Sequence, residues 1–490
     1  MTSLTFYGGI NTIGGNKILL EDEGARIFLD FGMNFAEHAE FFTEFMPARK
    51  CNSINDLVLL GLLPGLKGVY RKDYCKHMKI DYAAENGVDG VLITHAHIDH
   101  VGYTHFLRKN IPVWVSPESK AIMKMFDIAG SGGFTEYCKF NPTFEFIKKK
   151  NSTELKRRTA KDGIEERAVK TFEFEKTFKI KHLEITPYRV DHSLPGASGF
   201  IIKTSKGNIV YTGDLRFHGR HKEWTEYFAQ KAKESKPICL LIEGTRIKEK
   251  ESRTEKCVED ESNKLIKKCK ELVIANFPIR DTDRMLTFYN IAKTNNRKLV
   301  IEPRQALLLD LLRAEGVHEL PSSDDENIRI FFAKKSWGLI GKEDIPKEEW
   351  EKDYSAWEKE YIHRKNIITA EQINKEQEKC VLFMNYFQFN NLIDIMPKKT
   401  SIHIRSICEP FNDEMVLDEK RINNWLKKFN LYPQHKIHAS GHASGAKLIE
   451  MAKEINPELL IPIHTEHAEI YKKEFPKITK IIKKGEKIIL

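Results

Sequence analysis

VLITHAHIDHVGY, Val91–Tyr103, is the stretch whose reading decides the fold. It sets His95, His97, Asp99 and His100 within six positions, directly after the apolar run Val91-Leu92-Ile93. Val91–Thr94 predicts a buried strand, and the His/Asp cluster falls where that strand leaves its sheet. Residues two apart on a strand point to one side, so His95, His97 and Asp99 can converge. His100 joins them if the chain turns into a short helix. Neutral imidazole and carboxylate are the ligands that suit zinc and related divalent ions. A polar turn that happens to hold three histidines is the competing reading. It is disfavoured, because burying such a cluster without partners is costly.

The stretch resembles the HxHxDH signature of the metallo-β-lactamase superfamily. That resemblance implies further ligands after later apolar runs: a lone His, a bridging Asp and a final His. His192 follows LEITPYRV, Asp214 ends GNIVYTGD, and His464 ends LLIPIH. Upstream, Asp30 follows Ile27-Phe28-Leu29. Its position resembles the first-motif Asp of the superfamily, which supports the metal site from behind its ligands.

A chain of 490 residues has room for two or three domains. Hydrophobic content of 41% and charged content of 30% indicate a soluble globular protein. No apolar run approaches the roughly 20 residues that span a membrane, and MTSLTFYGGI lacks the features of a signal peptide. Eight scattered cysteines without CxxC pairs suit reduced thiols and a cytoplasmic location. A net charge of +9 leans towards an anionic partner.

Turn residues Gly8-Gly9, Gly14-Gly15, Glu23-Gly24 and Gly32 punctuate a hairpin-rich start. Residues 33–90 predict a surface element of their own. Residues 148–181 are lysine-rich, with KKK at 148–150 and KRR at 156–158. They read as a solvated hairpin or as a basic wall for a phosphate backbone. ICLLIEGTRI, 238–247, predicts a buried strand ending in Glu243. Alternating strands and helices then predict a parallel sheet with flanking helices, from about 248 to 400. The charged run KEEWEKDYSAWEKEYIHRKN within it predicts an exposed helix. The expected domains are 1–245, an insertion over 246–400, and a closing part over 401–490. QHKIHASGHASGAKLIEMAKEI brings Ser440, His442 and Ser444 in a Gly-rich turn before a helix from Ala446 to Ile455.

The order HAHIDH, His192, Asp214, Glu243, insertion, SGH, PIHTE resembles the β-CASP branch of the superfamily, nucleases of RNA and DNA that include ribonuclease J. HASGHAS and GGINTIGGN look most like ribonuclease J. The resemblance implies an αββα sandwich with an inserted β-CASP α/β domain. It implies two zinc ions per chain, with manganese as the alternative. His95, His97 and His192 would hold one ion, and Asp99, His100 and His464 the other, with Asp214 bridging. Glu243 matches the family's acidic motif A and His442 its motif B. By that likeness His442, oriented by Glu243, protonates the leaving 3′ oxygen, while Ser440, His442 and Ser444 hold a substrate phosphate. Asp99, Glu243 and His442 are thus the expected catalytic residues. Two positions depart from the ribonuclease J pattern: Thr465 stands in place of Gly, and Glu243 in place of Asp. No C-terminal dimerisation domain is expected, and a homodimer is left open. The implied activity is 5′-to-3′ exonucleolytic or endonucleolytic hydrolysis of single-stranded RNA. DNA as substrate and a small-molecule metallohydrolase are the alternatives, and an idle binding subunit is opposed by the full ligand set.

Overall fold

The computed structural model describes residues 1–43, 45–130, 136–251, 253–409 and 413–490. They divide into two compact units, one of 1–217, 221–251 and 441–490, the other of 218–220 and 252–440.

The first unit is built on two facing sheets. One runs in the order Val169–Thr171, Val113–Val115, Gly90–Leu92, Ala25–Leu29, Lys17–Asp22, Thr2–Gly8, Lys487–Ile489. Its N-terminal hairpins are antiparallel, and Gly90–Leu92 joins Ala25–Leu29 in parallel. The other runs Phe178–Ile180, Leu183–Arg189, Ser198–Lys203, Asn208–Tyr211, Cys239–Glu243, Leu459–Ile463. Side chains alternate along each strand, so one face of each sheet closes on the other. Leu4, Phe6, Ile18, Leu20 and Ile27 meet Ile185, Phe200, Ile202, Ile209 and Leu241 in one fully buried core. Truncating Phe200 there would cost about 3–5 kcal/mol.

Helices Lys222–Glu234 and Gly445–Ile455 cover the outer face of the second sheet, where Phe228, Leu448, Met451 and Ile455 pack on Val210, Leu240 and Ile242. Strands Asn208–Tyr211, Cys239–Glu243 and Leu459–Ile463, the last at the sheet's edge, are thus buried on both faces. That is why they read as unbroken apolar runs. Helix Pro117–Ala129, capped by the Ser116 hydroxyl accepting from Ser119 N–H at 3.1 Å, packs beside Val169–Thr171 of the first sheet. The result is the αββα sandwich the sequence predicts. Within 33–90 the chain forms helices Phe35–Ala39, Ser53–Leu59 and Lys72–His77.

The second unit is a seven-stranded, wholly parallel sheet in the order Ile367–Ile368, Ile328–Phe331, Lys298–Ile301, Cys380–Phe383, Val273–Asn276, Ile402–Arg405, His435–Lys436. Helix Glu255–Lys268 precedes its first strand in sequence, and helices Thr282–Thr294 and Pro303–Ala314 lie between its strands, as βαβ crossovers require.

Two sequence readings are corrected. Residues 401–440 do not join the closing part: Ile402–Arg405 pairs in parallel with Val273–Asn276, and His435–Lys436 follows it. The boundary falls at 440 because the unit keeps adding parallel strands until then. The charged run over 347–366 is not one exposed helix. It breaks into Lys347–Trp350, a 3₁₀ turn at Glu351–Asp353 and Lys359–Ile362. Trp350, Tyr354, Tyr361 and Ile362 are buried, so its apolar side chains anchor short turns against the unit.

Candidate metal centre

Strand Gly90–Leu92 ends just before the ligand run, and the short helix Ile98–Val101 starts with His97 at its N-cap. This strand-to-helix step turns His100 onto the side shared by His95 and His97. His97 Nδ1 lies 2.9 Å from His95 Nε2 and 3.2 Å from His192 Nε2. His464 Nε2 lies 3.1 Å from Asp99 Oδ2. Asp214 sits between the two sets, its Oδ2 3.7 Å from His95 Nε2, 3.2 Å from His100 Nε2 and 3.6 Å from His464 Nε2. The donor atoms of His95, His97, His192 and Asp214 lie within 4.8 Å of one another, as do those of Asp99, His100 and His464. All seven sequence-predicted ligands are therefore brought together.

The donors suit a divalent cation. Asp214 Oδ1 is buried without a hydrogen-bond partner among the described residues. His100 Nε2 is buried likewise, close to Asp214 without hydrogen-bond geometry. Orphaned buried polar atoms of this kind are rare unless something else satisfies them. Burial and the neighbouring imidazoles hold His95 and His192 well below the usual histidine range, so they are neutral. Burial opposes charge on His100, but Asp214, Asp99 and Asp30 outweigh it and raise its pKa. Burial likewise opposes ionisation of Asp99 and Asp214, yet the imidazoles keep both carboxylates charged. A cation binding here displaces the imidazole proton.

Supporting groups set which nitrogen faces inward. Asp30, fully buried at φ 56°, accepts from Thr94 N–H at 2.7 Å, the Thr94 hydroxyl at 2.9 Å and His100 Nδ1 at 2.7 Å. His100 therefore aims Nε2 at the site. Gly441 carbonyl accepts from His192 Nδ1 at 2.6 Å, and the Thr245 hydroxyl lies 2.8 Å from His464 Nδ1. This is the orientation of metal-binding histidines generally.

Sequence reasoning placed Asp30 but missed Thr94, Thr245, Tyr211 and Asn16. The Tyr211 hydroxyl donates to Asp30 Oδ2 at 2.5 Å and accepts from Asn16 Nδ2 at 3.0 Å. The N–H groups of Gly15 and Asn16 in turn donate to the Asp99 carbonyl at 2.9 and 3.2 Å. The GGINTIGGN hairpin thus backs the ligand turn. A Cβ on Gly32 would stand 1.7 Å from the Asp99 carbonyl oxygen, so only glycine fits there. Gly441 serves the same end, since a Cβ would come within 2.7 Å of Ser193 Oγ and 3.0 Å of His192 Cε1. The one signal in the sequence was the density of glycines beside Asn16.

His442 Nδ1 lies 3.2 and 3.1 Å from the two oxygens of Glu243. Glu243 Oε1 also accepts from Leu215 N–H at 2.9 Å and Oε2 from Thr245 N–H at 3.3 Å. Asp214, Glu243, His442 and His464 also come within ligating reach of one another. Yet the Glu243 oxygens are already engaged by backbone and imidazole, which favours orienting His442 over binding an ion. Burial works against charge on His442, but Glu243 and Asp214 outweigh it and push its pKa up to about 9. Ser444 stands at the N-cap of Gly445–Ile455, buried, without a side-chain capping bond. Ser440 lies in the second unit, where its carbonyl accepts from His218 Nε2 at 2.9 Å.

Residues 68–242 match the metallo-beta-lactamase superfamily, and residues 434–475 match the Zn-dependent metallo-hydrolase RNA specificity domain. The chain is 25% identical over 479 residues to ribonuclease J of Mycoplasma pneumoniae, covering 95% of this chain and 68% of that one. It is 26% identical to ribonuclease J of Mycoplasma genitalium, with the same coverage. A crystal structure of an Enterococcus faecalis V583 protein of unknown function superposes with a TM-score of 0.70, at 24% identity and full coverage of both chains. Seven donors thus converge at strand ends in a chain that carries a metallo-β-lactamase superfamily match over residues 68–242 and is similar over nearly its whole length to ribonuclease J proteins.

Proposed function

We propose that the chain hydrolyses phosphodiester bonds of single-stranded RNA, working from the 5′ end, in RNA processing or decay in the cytoplasm. The observation that carries this reading is the convergence of two ligand sets on Asp214 with the His442–Glu243 pair beside them. The relatives' names, and the RNA-specificity match that includes both His442 and His464, support RNA as the substrate. Eight unpaired cysteines suit a reducing compartment. No helix among the described residues is long and apolar enough to cross a membrane.

In this reading His95, His97, His192 and Asp214 hold one divalent ion, and Asp99, His100, His464 and Asp214 the other. Divalent ions held there, zinc or manganese, would supply neutralisation of phosphodiester charge and a water acidic enough to lose its proton near neutral pH. Asp30, Gly441 and Thr245 keep the three imidazoles they touch turned towards the ions. His442 gives its Nε2 proton to the leaving 3′ oxygen, while Nδ1 stays on Glu243, which holds the ring in place and favours its charged form. The buried Ser444 hydroxyl, not used as a cap, is available to a phosphate oxygen.

Cleavage of 5′- and 3′-labelled RNA, and of DNA of the same sequence, with and without chelator, tests this. Mononucleotides should leave from the 5′ end of RNA only, and chelator should stop the reaction. Equal rates on RNA and DNA would refute the ribonuclease reading.

A further inference from the structure

The metal centre leaves unused a ribbon elsewhere in the first unit. Strands Phe146–Lys148 and Leu155–Arg157 form an antiparallel hairpin that pairs with neither main sheet. Its register sets Phe146 opposite Arg157, Ile147 opposite Lys156 and Lys148 opposite Leu155. The turn adds Lys149 N–H to the Glu154 carbonyl, and the base adds Arg158 N–H to the Glu145 carbonyl.

Alternation along these strands separates charges by face. One face carries Glu145, Ile147, Lys149, Glu154, Lys156 and Arg158. Its acids are spent locally: Lys149 pairs with Glu154 at 2.5 Å, Arg158 with Glu145 at 3.0 Å, and Lys156 with Asp162. The other face carries Phe146, Lys148, Leu155 and Arg157 and holds no carboxylate. Phe146 is 62% and Leu155 61% exposed, and Lys148 and Arg157 are exposed as well. Among the described residues, no side-chain hydrogen bond or ion pair engages Lys148 or Arg157. An isolated two-stranded ribbon gains little by exposing two large apolar side chains to water. Its base is nonetheless fastened: Arg158 and Lys109 both meet Glu165, whose strand Glu165–Glu166 pairs with Lys139–Phe140.

We propose that the acid-free face of this ribbon is an accessory binding surface for single-stranded RNA, distinct from the metal centre. An exposed aromatic ring flanked by unpaired cations is the combination that binds single strands without sequence preference: a base stacks on the ring, and phosphates meet the cations. A polyanion fits the charge of this face better than an apolar protein surface does. The inference rests on the ribonuclease reading for its choice of polymer.

The test compares Lys148→Glu/Arg157→Glu and Phe146→Ala with a control on the opposite face, Lys149→Ala/Lys156→Ala. Binding of hydrolysis-resistant phosphorothioate RNA is followed by fluorescence anisotropy over a range of salt. Cleavage of ordinary RNA and of bis(p-nitrophenyl) phosphate is followed in parallel. The double charge reversal should weaken RNA binding at least about tenfold. Its log–log salt slope should be shallower by about 1.4, two phosphate contacts at about 0.7 each. Phe146→Ala should weaken binding about fivefold or more. Both should raise KM for RNA with kcat held, and leave hydrolysis of the small phosphodiester and the control variant unchanged. Wild-type affinity and salt slope in both ribbon variants would overturn the proposal, whether the face then serves a protein partner or none. The two readings fail differently. A wild-type protein that binds RNA through the ribbon but does not cut it keeps this proposal and loses the ribonuclease. One that cuts RNA while every ribbon variant binds normally does the reverse.

Discussion

The first unit buries His95, His100, His192 and His464; the second buries His403 within a parallel sheet, in strand Ile402–Arg405, which is paired on both sides. Burial alone is equal in the two places, yet the consequences differ. In the first unit the imidazoles sit beyond strand ends, beside Asp99 and Asp214, with an outer nitrogen of His100, His192 and His464 tied to Asp30, Gly441 or Thr245. His403 has neither ring nitrogen bonded among the described residues. Burial, with Arg405 and His435 nearby, pushes its pKa down to about 3. A buried histidine becomes a ligand through converging partners and a fixed tautomer, not through burial. Strand ends supply these because the chain there is free of the ladder and can turn its side chains together.

The strongest way to break this comparison is to remove the shared carboxylate. Asp214→Ala should lose both ions by elemental analysis and slow RNA cleavage by more than about 10⁴-fold, beyond what loss of one proton donor costs. A variant that keeps both ions would show that Asp214 does not bridge.

His442→Ala should retain the ions and slow cleavage by about 10²–10⁴-fold. Glu243→Gln should behave as a milder form of it, because only the orientation and charge of the ring change. Loss of an ion in His442→Ala would move His442 into the ligand set and leave the leaving group without a named acid.

Tyr211→Phe removes one of the four hydrogen bonds to Asp30, a supporting contact of the kind whose loss costs about 10–100-fold in metal affinity. Chelator competition should show that loss at one of the two ions. An unchanged affinity at both would make the Tyr211–Asp30 contact structural only.

The smallest effect on activity belongs to His403→Leu, which should leave kcat and metal content untouched. Its signature is acid stability. In the unfolded chain His403 takes up a proton as pH falls through about 6.5, whereas in the folded protein it does so only near 3. Between these values the unfolded state binds more protons, so stability falls with falling pH across that window. His403→Leu should flatten that fall in an acid titration followed by circular dichroism. An identical acid midpoint would mean that His403 is not held neutral.

Legibility from the sequence followed the range of the interactions. HAHIDH, His192, Asp214 and His464 were readable because each stands just after an apolar run, and a strand end is a local property. Asp30 was readable for the same reason. Thr94, Thr245, Tyr211 and Asn16 were not, because ordinary polar residues acquire their role only from what lies opposite in three dimensions. Tyr211 and Asp30 are 181 positions apart. Residues 401–440 were misassigned because strand membership depends on pairing with Val273–Asn276, which no periodicity within the segment reveals. In the charged run 347–366, the local count of Glu and Lys outweighed the few aromatic residues that tertiary packing draws inside. The sequence by itself determined the donor types, their order and the sandwich they belong to, since these follow from apolar runs and the residues that end them. Only the tertiary structure decided which donors share a site, which nitrogen each presents and where the second unit closes, because each depends on contacts between residues far apart along the chain.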